Sequence, residues 1–161
     1  MDYRPATVDD IDAIQRVAER SWEQDYPDIV SRESIRETVH EWYGEDRLRT
    51  DIAAADTMVL AAVDEDDVVG FAHGVVADDT GTLMRVYVDP DHRGEGVGRS
   101  LVEVAVDDFA TRGVDRVEAL VLTANDPGNE FYQRLGFEHV QRATTTIGGE
   151  SYEENIYLKL V

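Results

Sequence analysis

The residues best suited to chemistry in this 161-residue chain surround a glycine-rich turn, Arg93-Gly94-Glu95-Gly96-Val97-Gly98-Arg99, that follows the apolar run Val86-Tyr87-Val88. Glycine accepts positive φ and carries no Cβ, so the main chain of such a turn can approach a ligand closely. Where a helix begins at the turn, its first N–H groups lack partners and lie at the positive end of the helix dipole, which suits a pyrophosphate. Arg93 and Arg99 flank the turn as contact donors to an anion. Two other phosphate-binding turns do not fit. A dinucleotide fingerprint starting at Gly94 and Gly96 needs glycine at position 99, which is Arg99, and an acid at the end of the next strand, where Thr123 stands. A nucleoside-triphosphate loop needs Gly-Lys-Ser/Thr, and the only lysine is Lys159.

A second cluster lies downstream, Asn125-Asp126-Pro127-Gly128-Asn129-Glu130-Phe131-Tyr132-Gln133-Arg134-Leu135-Gly136-Phe137. Arg93-x-x-Gly96-x-Gly98 resembles the pyrophosphate signature of the GNAT superfamily of acyl-CoA-dependent N-acyltransferases. The downstream cluster is similar to that superfamily's Asn, Phe-Tyr and Gly-Phe motif, in the same order. The resemblance covers nearly the whole chain, and the motifs themselves occupy about residues 83–137.

The resemblance implies an α/β (α+β) fold in a single domain over residues 1–161: a mixed, mostly antiparallel six- or seven-stranded sheet with helices on both faces. The sheet should splay between the strand ending at Val88 and the strand ending near Thr123. Acetyl-CoA is the implied co-substrate, with no metal. Arg93, Gly94, Glu95, Gly96, Val97, Gly98 and Arg99 would hold its diphosphate. Main-chain groups of Val86 and Val88, with Asn125, would hold its pantetheine arm, and the Val88 N–H would polarise the thioester carbonyl. Tyr132 would serve as general acid to the departing thiolate. Trp22, Glu23 and Tyr26 would border the acceptor. Each role has a plainer rival: Asn125 can be a helix cap, and Tyr132 and Trp22 can be core residues. Phe131 and Phe137 read as core, and Gly128 as a small residue that keeps the helix close to the ligand.

The implied reaction is N-acetyl transfer to a primary amine, of a small molecule or a protein, by direct attack, because there is no cysteine to carry the acyl group. A primary alkyl amine of pKa about 10.4 must first lose a proton. The strand-borne glutamate base of many relatives has no counterpart at Leu83, Met84 or Arg85. Glu23, Asp25, His73 and Glu118 remain as candidates. The missing base also keeps open a second function, a non-catalytic acyl-CoA-binding sensor or regulatory module.

The elements that must position these groups follow from pattern. Val97, Leu101, Val102, Ala105 and Phe109 recur at helical spacing after the turn, and Gly113 ends that helix. Residues 57–64 and 68–77 read as an antiparallel hairpin, 82–88 as the strand feeding the turn, and 117–123 as a central strand covered on both faces. Residues 139–147 and 151–160 form a terminal hairpin around Gly148-Gly149. At the N-terminus, residues 2–7 read as an edge strand. Helices follow after Thr7, after Ser31 or Ser34, and over about 48–55.

Composition bounds the rest. Zero cysteines exclude disulfides, and four scattered histidines argue against a metal site. Neither a leader peptide nor a membrane-length apolar run is visible, so a cytoplasmic protein is expected, with no membrane partner. The net charge of −20, with Lys159 the sole lysine among 15 basic residues, implies a halophilic source and disfavours nucleic acid as a partner. Acetyl-CoA and an amine are the expected partners, and a homodimer is left open.

Overall fold

The computed structural model describes residues 1–26 and 29–161. The chain runs β1 (Asp2–Pro5), α1 (Ile11–Asp25), α2 (Arg32–Tyr43), α3 (Glu45–Ala53), β2 (Thr57–Asp64), β3 (Asp67–Ala77), β4 (Thr80–Val88), α4 (Val97–Thr111), β5 (Arg116–Leu122), α5 (Asp126–Arg134), β6 (Glu138–Ile147) and β7 (Glu150–Leu160). Local chemistry sets the helix starts. The Asp10 carboxylate accepts from the Thr7 N–H at 2.8 Å ahead of α1. Ser31 accepts from the Ser34 N–H to open α2, and Asn125 accepts from the Gly128 N–H to open α5. Helix α3 begins earlier than its apolar pattern suggested, because Gly44 is extended and Glu45 and Asp46 occupy the favourable first turn. Strand β1 is two residues shorter than expected and stops at Pro5.

The seven strands form one sheet in the order β1-β2-β3-β4-β5-β7-β6, and only β4 and β5 run parallel. Those two strands pair only from Thr80 to Leu83 against Arg116 to Ala119. At the same level the β3–β4 register shifts between His73 and Gly74, leaving Met84 without a partner. A bulge there bends β4 away from β5. The sheet therefore splays where the two motifs require it to.

Each face of the sheet has its own core. Helices α1, α2 and α3 cover one face through Ile14, Val17, Trp22, Ile35, Tyr43 and Leu48, which meet Phe71 and Tyr87. Helices α4 and α5 cover the other through Leu101, Ala105, Phe109 and Tyr132, which meet Leu83, Val117 and Tyr157. Strand alternation then divides β4. Val86 and Val88 pack toward α4, while Tyr87 packs toward α1 and α2, where Arg85 also lies against Trp42. The splay is thus a passage between the two faces. No described helix is long and apolar enough to cross a membrane.

Candidate active site

The turn between β4 and α4 is held from below by α1. Arg20 donates to Asp89 at 2.9 Å and to Asp91 at 3.0 Å, and the Ser21 hydroxyl donates to the Val88 carbonyl at 3.1 Å. With its base fixed, the turn uses positive φ at Gly94 (79°) and Gly96 (81°) to bring the chain into α4. The first bond of that helix is Ser100 N–H to Gly96 carbonyl, and no side chain caps it. The N–H groups of Val97, Gly98 and Arg99 are therefore unpaired within the helix and point out of its positive end. A Cβ at Gly98 would lie 3.3 Å from the Phe131 ring, so glycine there lets α4 and α5 close on each other.

From this turn a cavity of about 590 Å³ runs through the splay. Its α4–α5 side is lined by Val86, Val88, Gly96, Gly98, Asn125 and Tyr132. Its α1–α2 side is lined by Trp22, Tyr26, Trp42, Arg85, Tyr87 and Glu154. Asp89 N–H bonds the Val69 carbonyl across β3. Strand alternation therefore turns the main-chain groups of Val86 and the Val88 N–H away from β3 and into the opening, while the Val88 carbonyl already accepts from Ser21 and Arg93. Main-chain groups presented this way can pair with an amide-bearing ligand as an added strand would.

Tyr132 lies at the middle of the passage, only 5% exposed and stacked on Tyr157 at 6.1 Å. Burial pushes its phenol well above the usual range, with Tyr26 raising it further and Arg85 opposing. It is therefore a neutral donor at working pH. On the other wall, burial raises the Glu154 carboxyl and the Arg85 charge opposes that rise. Among the described residues no group of acids and histidines could hold a metal.

The structure brings most of the expected residues together but changes the standing of several. Arg93 reaches the cavity, yet its guanidinium is paired with Asp25 (2.9 Å) and its Nε donates to the Val88 carbonyl at 3.3 Å. It acts as a brace between α1 and the turn rather than as a free donor. Arg99 is exposed and paired only with Glu103 one helical turn on, at 3.0 Å, an association weak enough to exchange for a phosphate. Glu95 faces solvent, with its carboxylate 3.7 Å from His92. Trp22 is 1% exposed and donates its indole N–H to the Tyr87 hydroxyl at 2.7 Å. It forms the floor of the cavity while belonging to the core. Tyr26 packs edge-on against Trp22 at 4.8 Å and also lines the cavity.

Glu23 is exposed and lies outside the cavity, because the helical turn directs it to solvent. His73 faces Asp51 at 3.5 Å and burial holds it neutral. Neither His73 nor Glu118 lines the cavity. Asn125 caps α5 and lines the cavity as well. Gly128 is small because a Cβ there would come 2.6 Å from the Asn125 Nδ2. Phe131 is wall as much as core.

Sequence reading missed Arg85, Trp42 and Glu154 as site residues. Arg85 did carry a signal, as the one charged residue in the apolar strand Thr80–Val88. It also missed Asn129. The Asn129 Nδ2 donates to the carbonyls of Leu122 (3.1 Å), Thr123 (3.3 Å) and Asn125 (2.7 Å). Its Oδ1 accepts from Asn155 (2.8 Å) and Tyr157 (2.7 Å). This one side chain ties α5 to the free end of β5 and to β7.

Residues 12–137 match the family model described as the acetyltransferase (GNAT) family. A curated relative, spermidine N(1)-acetyltransferase of Thermoplasma acidophilum, is 25% identical over 142 residues, covering 86% of this chain and 88% of that protein. A ribosomal protein bS18-alanine N-acetyltransferase of Salmonella typhimurium is 37% identical over 73 residues, covering 45% of this chain and 49% of its own length. The crystal structure of the PaiA N-acetyltransferase of Thermoplasma acidophilum in complex with coenzyme A superposes with a TM-score of 0.88 at 24% identity, covering 99% of this chain and 98% of that one.

Proposed function

The chain belongs to the acetyltransferase (GNAT) family, and on that footing we propose that it moves an acetyl group from acetyl-CoA to a primary amine, of a small molecule or a protein, by direct attack. The observation that carries this reading is the continuity of the cavity. One passage joins the unpaired N–H groups of α4, the turned-out main chain of Val86 and Val88, the buried phenol of Tyr132 and the carboxylate of Glu154.

The α4 N–H groups and the glycine turn bind the diphosphate. The Val88 N–H donates to the thioester carbonyl, where negative charge grows as the amine attacks. Glu154 takes the proton from the acceptor ammonium, directly or through water. A carbon–nitrogen bond forms, the carbon–sulfur bond breaks, the sulfur leaves with its electron pair, and the acylated nitrogen sheds its second proton to water. Tyr132 donates to that sulfur. Its raised pKa makes it a hydrogen-bond donor at every working pH, and solvent restores the proton it gives up. Most of the rate comes from holding amine and thioester in line.

Thiol release that depends on an added amine tests this. Because burial raises the Glu154 carboxyl, it is protonated and inactive at pH values where an ordinary carboxylate still accepts protons. The kcat/KM profile is expected to fall on its acid side through a pKa above the usual carboxylate range. Glu154→Gln should remove that limb and lower kcat by about 10²–10³, with acetyl-CoA affinity unchanged. An unaltered profile in the variant would remove Glu154 from the mechanism. The bare β4, which offers Arg85 where a base could stand, favours the sensor reading instead. That reading requires that no amine provokes thiol release.

A further inference from the structure

Resting on the acyl-transfer reading above, we propose that the acceptor is an amine that also carries a carboxylate, an amino-acid-like molecule, and that Arg85 binds the carboxylate. Arg85 lies on the α1–α2 side of the passage, away from the glycine turn that suits the diphosphate. Its guanidinium carbon sits 4.2 Å from the Trp42 ring centroid. That contact uses one face of the planar group and leaves its edge. Of the five N–H donors that edge carries, one reaches the Met84 carbonyl and another faces the Tyr43 hydroxyl, which leaves donors for a ligand. The surrounding phenols of Tyr26, Tyr43 and Tyr87 are neutral, since burial pushes Tyr26, Tyr43 and Tyr87 upward. Among the described residues no carboxylate stands at ion-pairing distance from it, and Glu154 acts on it only from further off.

A half-buried cation with in-plane donors to spare is met most favourably by an anion, and a guanidinium edge matches a carboxylate. Apart from the Asp25–Arg93 pair, the opposite charges of this half of the cavity are Arg85 and Glu154, and they mirror a zwitterion. The Glu154 end takes the ammonium and the Arg85 end takes the carboxylate, with the aromatic walls of Trp22, Trp42 and Tyr26 around the carbon chain between them. A polyamine would have to place a second ammonium against Arg85. Like charges in such a setting repel, so the site discriminates against it.

Trp22 and Trp42 are the only two tryptophans, and both line the cavity, so intrinsic fluorescence reports its occupancy without turnover. With coenzyme A saturating, N-acetyl amino acids of increasing chain length are titrated beside their carboxamides. The parent amino acids and amino amides, unacetylated, are offered with spermidine as acceptors in thiol release. At least one acid is expected to bind about tenfold or more tighter than its amide. Arg85→Met should erase that ratio, Arg85→Lys should keep part of it, and coenzyme A should bind both variants as before. Equal binding of acid and amide by the unaltered protein overturns the inference whether or not the variants fold. Selectivity that survives in Arg85→Met overturns it too. Thiol release with spermidine or amides in preference to amino carboxylates sinks this inference and leaves acetyl transfer standing. Selective acid binding with no thiol release from any amine supports the carboxylate subsite and sinks the acetyl-transfer reading.

Discussion

Tyr132 is where the competing descriptions of a residue meet. It is packed like a core side chain, between Phe131, Phe137 and Tyr157, yet its hydroxyl ends in the passage and has no hydrogen-bond partner among the described residues. Core packing fixes its ring and leaves the hydroxyl free to meet a ligand in the passage. Tyr132→Phe should therefore lower kcat by about 10²-fold or more while the acetyl-CoA dissociation constant and the melting temperature stay near their starting values. A variant with unchanged kcat would leave Tyr132 as packing alone. Tyr132 and Asn125 were legible because they stand in a motif of fixed order. Arg85 stood out only as a lone charge in an apolar strand without a base, because its neighbours Trp42 and Glu154 come from α2 and β7 and are distant in sequence. Glu23 was misplaced for a related reason: the sequence puts an acid near an aromatic pair, and only the helical phase shows that it points outward.

At the scale of elements, the site depends on three bodies that meet at the end of the splayed sheet: α1, α4 and α5. Helix α1 anchors the turn through Arg20, Ser21 and the Asp25–Arg93 pair. Helix α5 is set by Asn129, whose five hydrogen bonds replace the ladder that β5 lacks on its open side. Asn129→Ala would strand the Asn155 amide and the Tyr157 hydroxyl and release three carbonyls. The expected cost is about 2–4 kcal/mol of stability, read as a lower denaturant midpoint, together with weaker acetyl-CoA binding. A midpoint within error of the parent would show that the network is redundant. Apolar periodicity located every strand and helix of the fold to within a few residues. It could not show which side chain would tie α5 to the end of β5 and to β7, since an asparagine four residues into a helix looks like any surface position.

For the whole molecule the governing fact is a net charge of −20 around a site for a polyanion. We take the charge as an adaptation to high salt, and already at 1 M the Debye length is only about 3 Å. Under such screening, donors in contact with the ligand decide binding and the global field hardly counts. Binding of acetyl-CoA at the glycine turn and the splay can be measured by calorimetric titration into the purified protein in molar KCl. Gly96→Val serves as the control, because a β-branched residue is strained at the φ of 81° found there. Saturable binding of one acetyl-CoA per chain is expected, weakening by about a hundredfold in the control while the fold persists. An absence of heat in a demonstrably folded parent protein, or equal binding by the control, would contradict it.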